Sequence, residues 1–265
     1  MKEMSIIETI TATKKKEIGS CKDLFPLENL KKSKFYKRKT FSLKEFLLNP
    51  DKTGIIAEFK RKSPSKGIIN DRARVEKVTT GYAKAGASAL SVLTDFNFFG
   101  GSADDLLKAR NANQIPILRK EFIIDEYQVH EAKAIGADAI LLIAAILTKI
   151  QTKKLAYLAH DLDLQVVMEF HNEPELDRLN EHIDIAGVNN RNLKTFEVSL
   201  QHSADLATKI PDNYLKISES GISTPDDIFF LRKQGFKGFL IGENFMKTND
   251  PELAFASFVE ALRGY

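Results

Sequence analysis

Eight short apolar runs, each ending in or beside a polar turn and spaced by roughly 20 to 35 residues, limit what this 265-residue chain can fold into. They lie at residues 54–60, 89–93, 115–120, 139–143, 165–169, 185–189, 214–219 and 239–241. The run at 139–143 and the pair Val166-Val167 are apolar on both faces, as parallel strands covered by helices must be. Three runs follow a helix-ending glycine turn: Gly86-Ala87-Ser88, Gly136-Ala137-Asp138 and Gly235-Phe236-Lys237. Strand, helix and glycine turn in steady repetition predict the α/β class and a (β/α)8 barrel. An open doubly wound sheet would carry a glycine-rich dinucleotide fingerprint after its first strand, but Arg61-Lys62-Ser63-Pro64-Ser65 stands there instead.

Residues 1–53 precede the first strand and read as an amphipathic helical extension. Ile6, Ile7, Ile10 and Ile18 set the stripe, and Ser42 with Glu45 reads as a capping box opening a short helix. The extension could cover one end of the barrel formed by residues 54–265, or plug its bottom.

Composition excludes several classes. With 43% hydrophobic and 28% charged residues the chain is neither disordered nor membrane-spanning, and its longest apolar run, 139–147, is far below the ~20 residues a spanning helix needs. The lysines at 14–16 and 31–39 read as a solvated helical face rather than a nucleic-acid surface, since the net charge is only +3. Cys21 is the one cysteine, which excludes an intramolecular disulfide and fits the cytoplasm. The five histidines show no metal-ligand spacing, so neither metal nor cofactor is expected. A small-molecule ligand and a monomer are the working expectation, with no nucleic acid and no membrane.

The chemistry should sit where the barrel strands end. Alternation puts Ile56, Glu58 and Lys60 on one face of the first strand. Later strand ends bring Lys120, Glu169, Asn189 with Arg191, and Glu219 with Ser220. A strand-end ion pair alone is unremarkable, but five apolar strands ending in groups costly to bury predict a polar pocket suited to acid–base work. His171 should fix a loop rather than react, and one of Asn189 and Asn190 should serve the turn.

Two further signals bear on the ligand. Ser220-Gly221 before a capped helix start, and Gly242-Glu243 after the eighth strand, match the loops that cradle phosphate in such barrels, with Ser63 and Arg191 able to add a hydroxyl and a guanidinium. Phe99 and Phe122 could wall a planar substrate.

These residues fall within ordered motifs that resemble the indole-3-glycerol phosphate synthase family. The motifs are Ile56-Ala57-Glu58-Phe59-Lys60-Arg61-Lys62-Ser63-Pro64-Ser65, Leu93-Thr94-Asp95 with Phe98-Phe99-Gly100-Gly101-Ser102, and Pro116-Ile117-Leu118-Arg119-Lys120-Glu121-Phe122. Glu169 with His171-Asn172-Glu173, Gly187-Val188-Asn189-Asn190-Arg191-Asn192-Leu193, Ser218-Glu219-Ser220-Gly221-Ile222 and Leu240-Ile241-Gly242 continue the match. The resemblance implies cofactor-free conversion of 1-(2-carboxyphenylamino)-1-deoxyribulose 5-phosphate to indole-3-glycerol phosphate, with loss of carbon dioxide and water. It implies Lys120 as general acid, Lys60 paired with the departing carboxylate, and Glu169 as base or relay in the dehydration. Glu58, Asn189, Glu219 and Ser220 would orient these groups. Ser63, Arg191, Gly221, Gly242 and Glu243 would hold phosphate, and Phe99, Phe122, Leu141 and Leu193 the aromatic ring. Members often carry serine or threonine at the position of Glu243, so its side chain is expected to turn away. Arg119 and Glu121 are expected to point away from the pocket. The alternatives are a phosphoribosylanthranilate isomerase, disfavoured by Glu58, Lys60, Lys120 and the helical extension, and a non-catalytic scaffold, disfavoured by Lys120 and Glu169.

Overall fold

The computed structural model describes residues 5–192, 195 and 197–264. Eight parallel strands close on themselves: β1 (Ile55–Phe59), β2 (Ala89–Leu93), β3 (Ile117–Lys120), β4 (Ala139–Ile143), β5 (Gln165–Phe170), β6 (Ile185–Asn189), β7 (Leu215–Glu219) and β8 (Gly238–Ile241). Each strand pairs with its sequence neighbours, and β8 returns to β1 through Ile55 opposite Phe239 and Ala57 opposite Ile241. This is a (β/α)8, or TIM, barrel.

Strand parity divides the core in two. Ile55, Ala57 and Phe59 face outward and pack beneath the helices, while Ile56 joins Leu118, Val167, Ile185 and Leu240 inside the barrel. Gly86, Gly136 and Gly235 end their helices with φ of 101°, 93° and 90°, a backbone that a side chain would strain.

The extension occupies both ends. Helix α1 (Ile6–Leu24) starts at Ser5, which forms a capping box with Glu8, and buries Ile10, Lys14 and Ile18 on one stripe. Ile6, Ile7 and Ile10 border the cavity at the strands' C-terminal ends. Helix α2 (Leu43–Leu48) sits at the other end: Lys44 N donates to Gln165 Oε1 at the start of β5, 3.0 Å away, and Leu43 and Leu47 complete the interior cluster. Ser42 caps α2 by accepting the Glu45 N–H at 3.2 Å, one half of the expected box. The lysine cluster at 14–16 is not one solvated face, because Lys14 is only 4% exposed.

Candidate active site

The C-terminal strand ends enclose a cavity of about 490 Å³. Inward parity brings to it Glu58 of β1 and Lys60 just beyond, Lys120 ending β3, Glu169 of β5, Asn189 ending β6, Glu219 ending β7, and Ser220.

Lys120 is the hub. Its Nζ donates to Glu169 Oε2 at 3.0 Å and to Glu219 Oε2 at 2.5 Å. Burial by itself would push the ammonium's pKa down, but Glu219, Glu169 and Glu58 outweigh that and hold it above the ordinary lysine range. Lys60 Nζ pairs with Glu58 Oε1 at 2.8 Å. Burial alone would raise the Glu58 carboxyl, and Lys60 and Lys120 keep it below its ordinary range.

Glu169 and Glu219 share one ammonium yet diverge. Burial pushes both up. Lys120 and His171 bring Glu169 below the carboxylate range, whereas Glu219 gains from Lys120 alone, lies in the field of Glu169 and Glu58, and is pushed up to about 7. Neighbouring acids driven apart in this way suit proton donor and acceptor roles. Two glycines leave room for these carboxylates: a Cβ on Gly187 would come within 2.6 Å of Glu219 Oε1, and one on Gly242 within 2.6 Å of Glu58 Oε1.

His171 buttresses Glu169 from outside the cavity. Its Nε2 lies 3.2 Å from Glu169 Oε1 and its Nδ1 3.6 Å from Glu175 Oε2, and although burial opposes protonation, these carboxylates raise it to about 9. Asn189 serves the turn, its Oδ1 accepting the Arg191 N–H at 3.0 Å, while Asn190 is buried, accepts from Ser203 Oγ and donates to Ser218 Oγ at 2.9 Å.

Ser63, Arg191, Gly221, Gly242 and Glu243 line the same cavity, joined by Ser65, which ends the first motif, and by Lys66, which no sequence pattern had marked. Arg191 Nη1 donates to Ser65 Oγ at 3.4 Å. The Glu243 side chain does not turn away as expected. Its carboxylate lies 3.7 Å from Arg191 Nη2 and 3.9 Å from Lys66 Nζ, drawn in by two cations that strand parity cannot reveal. A carboxylate beside the cations expected to hold phosphate would compete with that ligand. Glu243→Gln is therefore expected to lower KM for a phosphorylated substrate by about two- to fivefold, the range of a partly exposed ion pair. Steady-state kinetics at low and high salt checks it, with the gain shrinking as salt screens the pair.

Phe99 and Phe122 meet with centroids 5.9 Å apart and planes at 37°, and Leu141 lines the same cavity. Leu193 lies outside the described residues. Arg119 points away, into the helix after β3, with Nη1 donating to Gln128 O at 2.9 Å. The Glu121 carboxylate turns the same way, 3.8 Å from Arg119 Nη2 and accepting from Thr94 Oγ1 at 2.7 Å, while the residue borders the cavity on the α1 side.

Fold and site define an acid–base enzyme of the (β/α)8-barrel class. The sequence model of the family described as indole-3-glycerol phosphate synthase matches residues 7–258. The chain belongs to the indole-3-glycerol phosphate synthase family. It is 47% identical over 258 residues to the indole-3-glycerol phosphate synthase of Bacteroides thetaiotaomicron, covering 97% of this chain and 99% of that one. It is 43% identical over 255 residues to the enzyme of the same name from Polaromonas sp., covering 95% and 97%. Among solved structures it is similar in fold to a mutant tryptophan synthase alpha-subunit from Pyrococcus furiosus, with a TM-score of 0.61 and 15% identity over 81% of this chain and 99% of that one.

Proposed function

We propose that this chain catalyses the decarboxylating ring closure and dehydration of 1-(2-carboxyphenylamino)-1-deoxyribulose 5-phosphate to indole-3-glycerol phosphate. The observation that carries the proposal is the buried Lys120 ammonium between Glu169 and Glu219, with a second ammonium, Lys60, on Glu58. The substrate presents a ketone that must gain a proton and a carboxylate that must depart. Lys120 protonates the ketone oxygen as the ring carbon bearing the carboxylate attacks the ketone carbon. Lys60 pairs with that carboxylate until carbon dioxide leaves and its electron pair restores the aromatic ring. Lys120, reprotonated from solvent after ring closure, then protonates the new hydroxyl as it departs as water, and Glu169 takes the proton lost from the carbon beside the nitrogen as the indole double bond forms. Ring closure forms one carbon–carbon bond, decarboxylation breaks one, and no oxidant is needed.

Ser63, Arg191, Gly221 and the Gly242-Glu243 amides hold the phosphate, and Phe99, Phe122 and Leu141 the anthranilate ring. Asn189 and Ser220 orient the sugar. Residues 1–53 serve as the cover and plug of a catalytic barrel formed by 54–265. One chain supplies every group named, so the proposal needs no second copy. Among the described residues no helix is long and apolar enough to cross a membrane. The lone Cys21 fits a reducing cytoplasm.

The test is the appearance of indole fluorescence when purified protein meets the carboxyphenylamino-deoxyribulose phosphate. A protein that binds the compound without forming indole would return the chain to a scaffold role.

A further inference from the structure

Lys14 is a lysine buried where α1 meets two walls of the cavity. Its Nζ lies 2.6 Å from Glu17 Oε2 on its own helix, 2.9 Å from Asp95 Oδ2 beyond β2, and 3.1 Å from Glu121 Oε1 beyond β3. Those two barrel carboxylates have second duties. Asp95 Oδ1 accepts the backbone N–H of Phe98 at 2.7 Å and of Phe99 at 3.1 Å. Glu121 Oε1 accepts the N–H of Phe122 at 2.9 Å, while Glu121 Oε2 accepts Thr94 Oγ1 at 2.7 Å. Glu17 also receives Asn97 Nδ2 from the loop that carries Phe98 and Phe99. One ammonium on the covering helix thus neutralises the same carboxylates that fix the backbones of Phe99 and Phe122.

We propose that Lys14 is a positioning residue that joins α1 and the Phe99–Phe122 wall into one unit, so that seating of the helix and binding of the substrate's aromatic ring are coupled. The inference rests on the proposed role of those two phenylalanines as the ring wall. Without Lys14, Asp95 and Glu17 would lose the cation between them, and Glu121 would be left with the Arg119 guanidinium, 3.8 Å from its Oε2. They would seek water, and the loops they hold would follow, loosening the helix and the wall together. The coupling is reciprocal, because a ring bound on the wall must tighten the helix by the factor by which the seated helix tightens the ring.

The test compares Lys14→Met and the charge-preserving Lys14→Arg with wild type. For Lys14→Met, KM for the full substrate and the inhibition constant of anthranilate are each expected to rise about tenfold, while the inhibition constant of inorganic phosphate stays within about twofold, and Lys14→Arg recovers most of the loss. Unchanged KM and anthranilate inhibition overturn the proposal, as does an equal weakening of anthranilate and phosphate, which would mark a general loosening. If Lys14→Met does not fold, hydrogen exchange on wild type decides. Saturating anthranilate should protect the amides of α1 together with those of Phe98 and Phe99, and inorganic phosphate should not. Protection of the loop without the helix overturns the coupling. A wild type inert toward the full substrate would instead sink the proposed activity, so the two failures are told apart.

Discussion

Lys120→Met is expected to lower kcat for indole formation by about 10²–10⁴-fold, the range for loss of a positioned general acid, and to stop carbon dioxide release with it. Methionine keeps most of the side chain's bulk, so the loss falls on the proton and the charge. The same substitution removes the cation that both Glu169 and Glu219 bond, and breaking a buried pair of this kind costs about 3–5 kcal/mol. That cost depends on pH with a definite sign. In the variant Glu219, pushed up to about 7 even with Lys120 in place, loses the cation that opposes the shift, while Glu169 keeps His171. Glu219 then titrates still further above its value in the unfolded chain, about 4.3 for glutamate. The folded state then binds more protons, so stability falls as pH rises above that value and the deficit against wild type is larger at pH 8 than at pH 5. Urea unfolding at the two pH values, beside stopped-flow fluorescence, measures both effects. A variant that keeps kcat within tenfold of wild type moves the acid to Lys60 or to water.

The barrel was legible because its signals are local and repeated. Period-two alternation put Glu58 and Lys60 on one face, and the structure finds them 2.8 Å apart. Glu169 stood out as a carboxylate ending the dry run Val166-Val167-Met168, and Glu219 only as one more polar strand end. What stayed hidden were the partners reached across the fold. The isoleucine stripe of α1 says that one face is buried but not against what, and Lys14 beside Lys15 and Lys16 looks like solvated surface. Its burial is decided by Asp95 and Glu121, on loops fixed only once β2 and β3 are neighbours. Glu243 shows the same limit. Its place after β8 was readable, while the direction of its side chain depends on Arg191 and Lys66 from two other loops. Position along a strand is written in the sequence near that strand, whereas charge pairing between loops is written in the assembled barrel.

Glu169→Gln is expected to separate the two products. If Glu169 acts only after carbon dioxide has gone, single-turnover release of carbon dioxide should stay within about tenfold of wild type while indole formation slows by about 10²–10³-fold, so that a decarboxylated, hydrated intermediate accumulates. Glutamine can still accept from Lys120 Nζ, so the hub keeps its geometry, but the ammonium loses one of the carboxylates that hold its pKa up and becomes a stronger acid. The substitution also reaches His171, which burial would push down and which Glu169 does most to raise to about 9. In wild type, that raised value contributes stability that is fully present below about 6.5, the ordinary histidine value, and is lost as pH rises through about 9. With glutamine at 169 the histidine should titrate nearer its ordinary value and this window should narrow, which NMR of the His171 ring protons and thermal unfolding at pH 6 and pH 9 will read directly. Carbon dioxide and indole falling by the same factor would put Glu169 before decarboxylation, as a partner of Lys120 in the ring closure. Neither falling would hand the base role to Glu219, whose carboxyl burial pushes up to about 7.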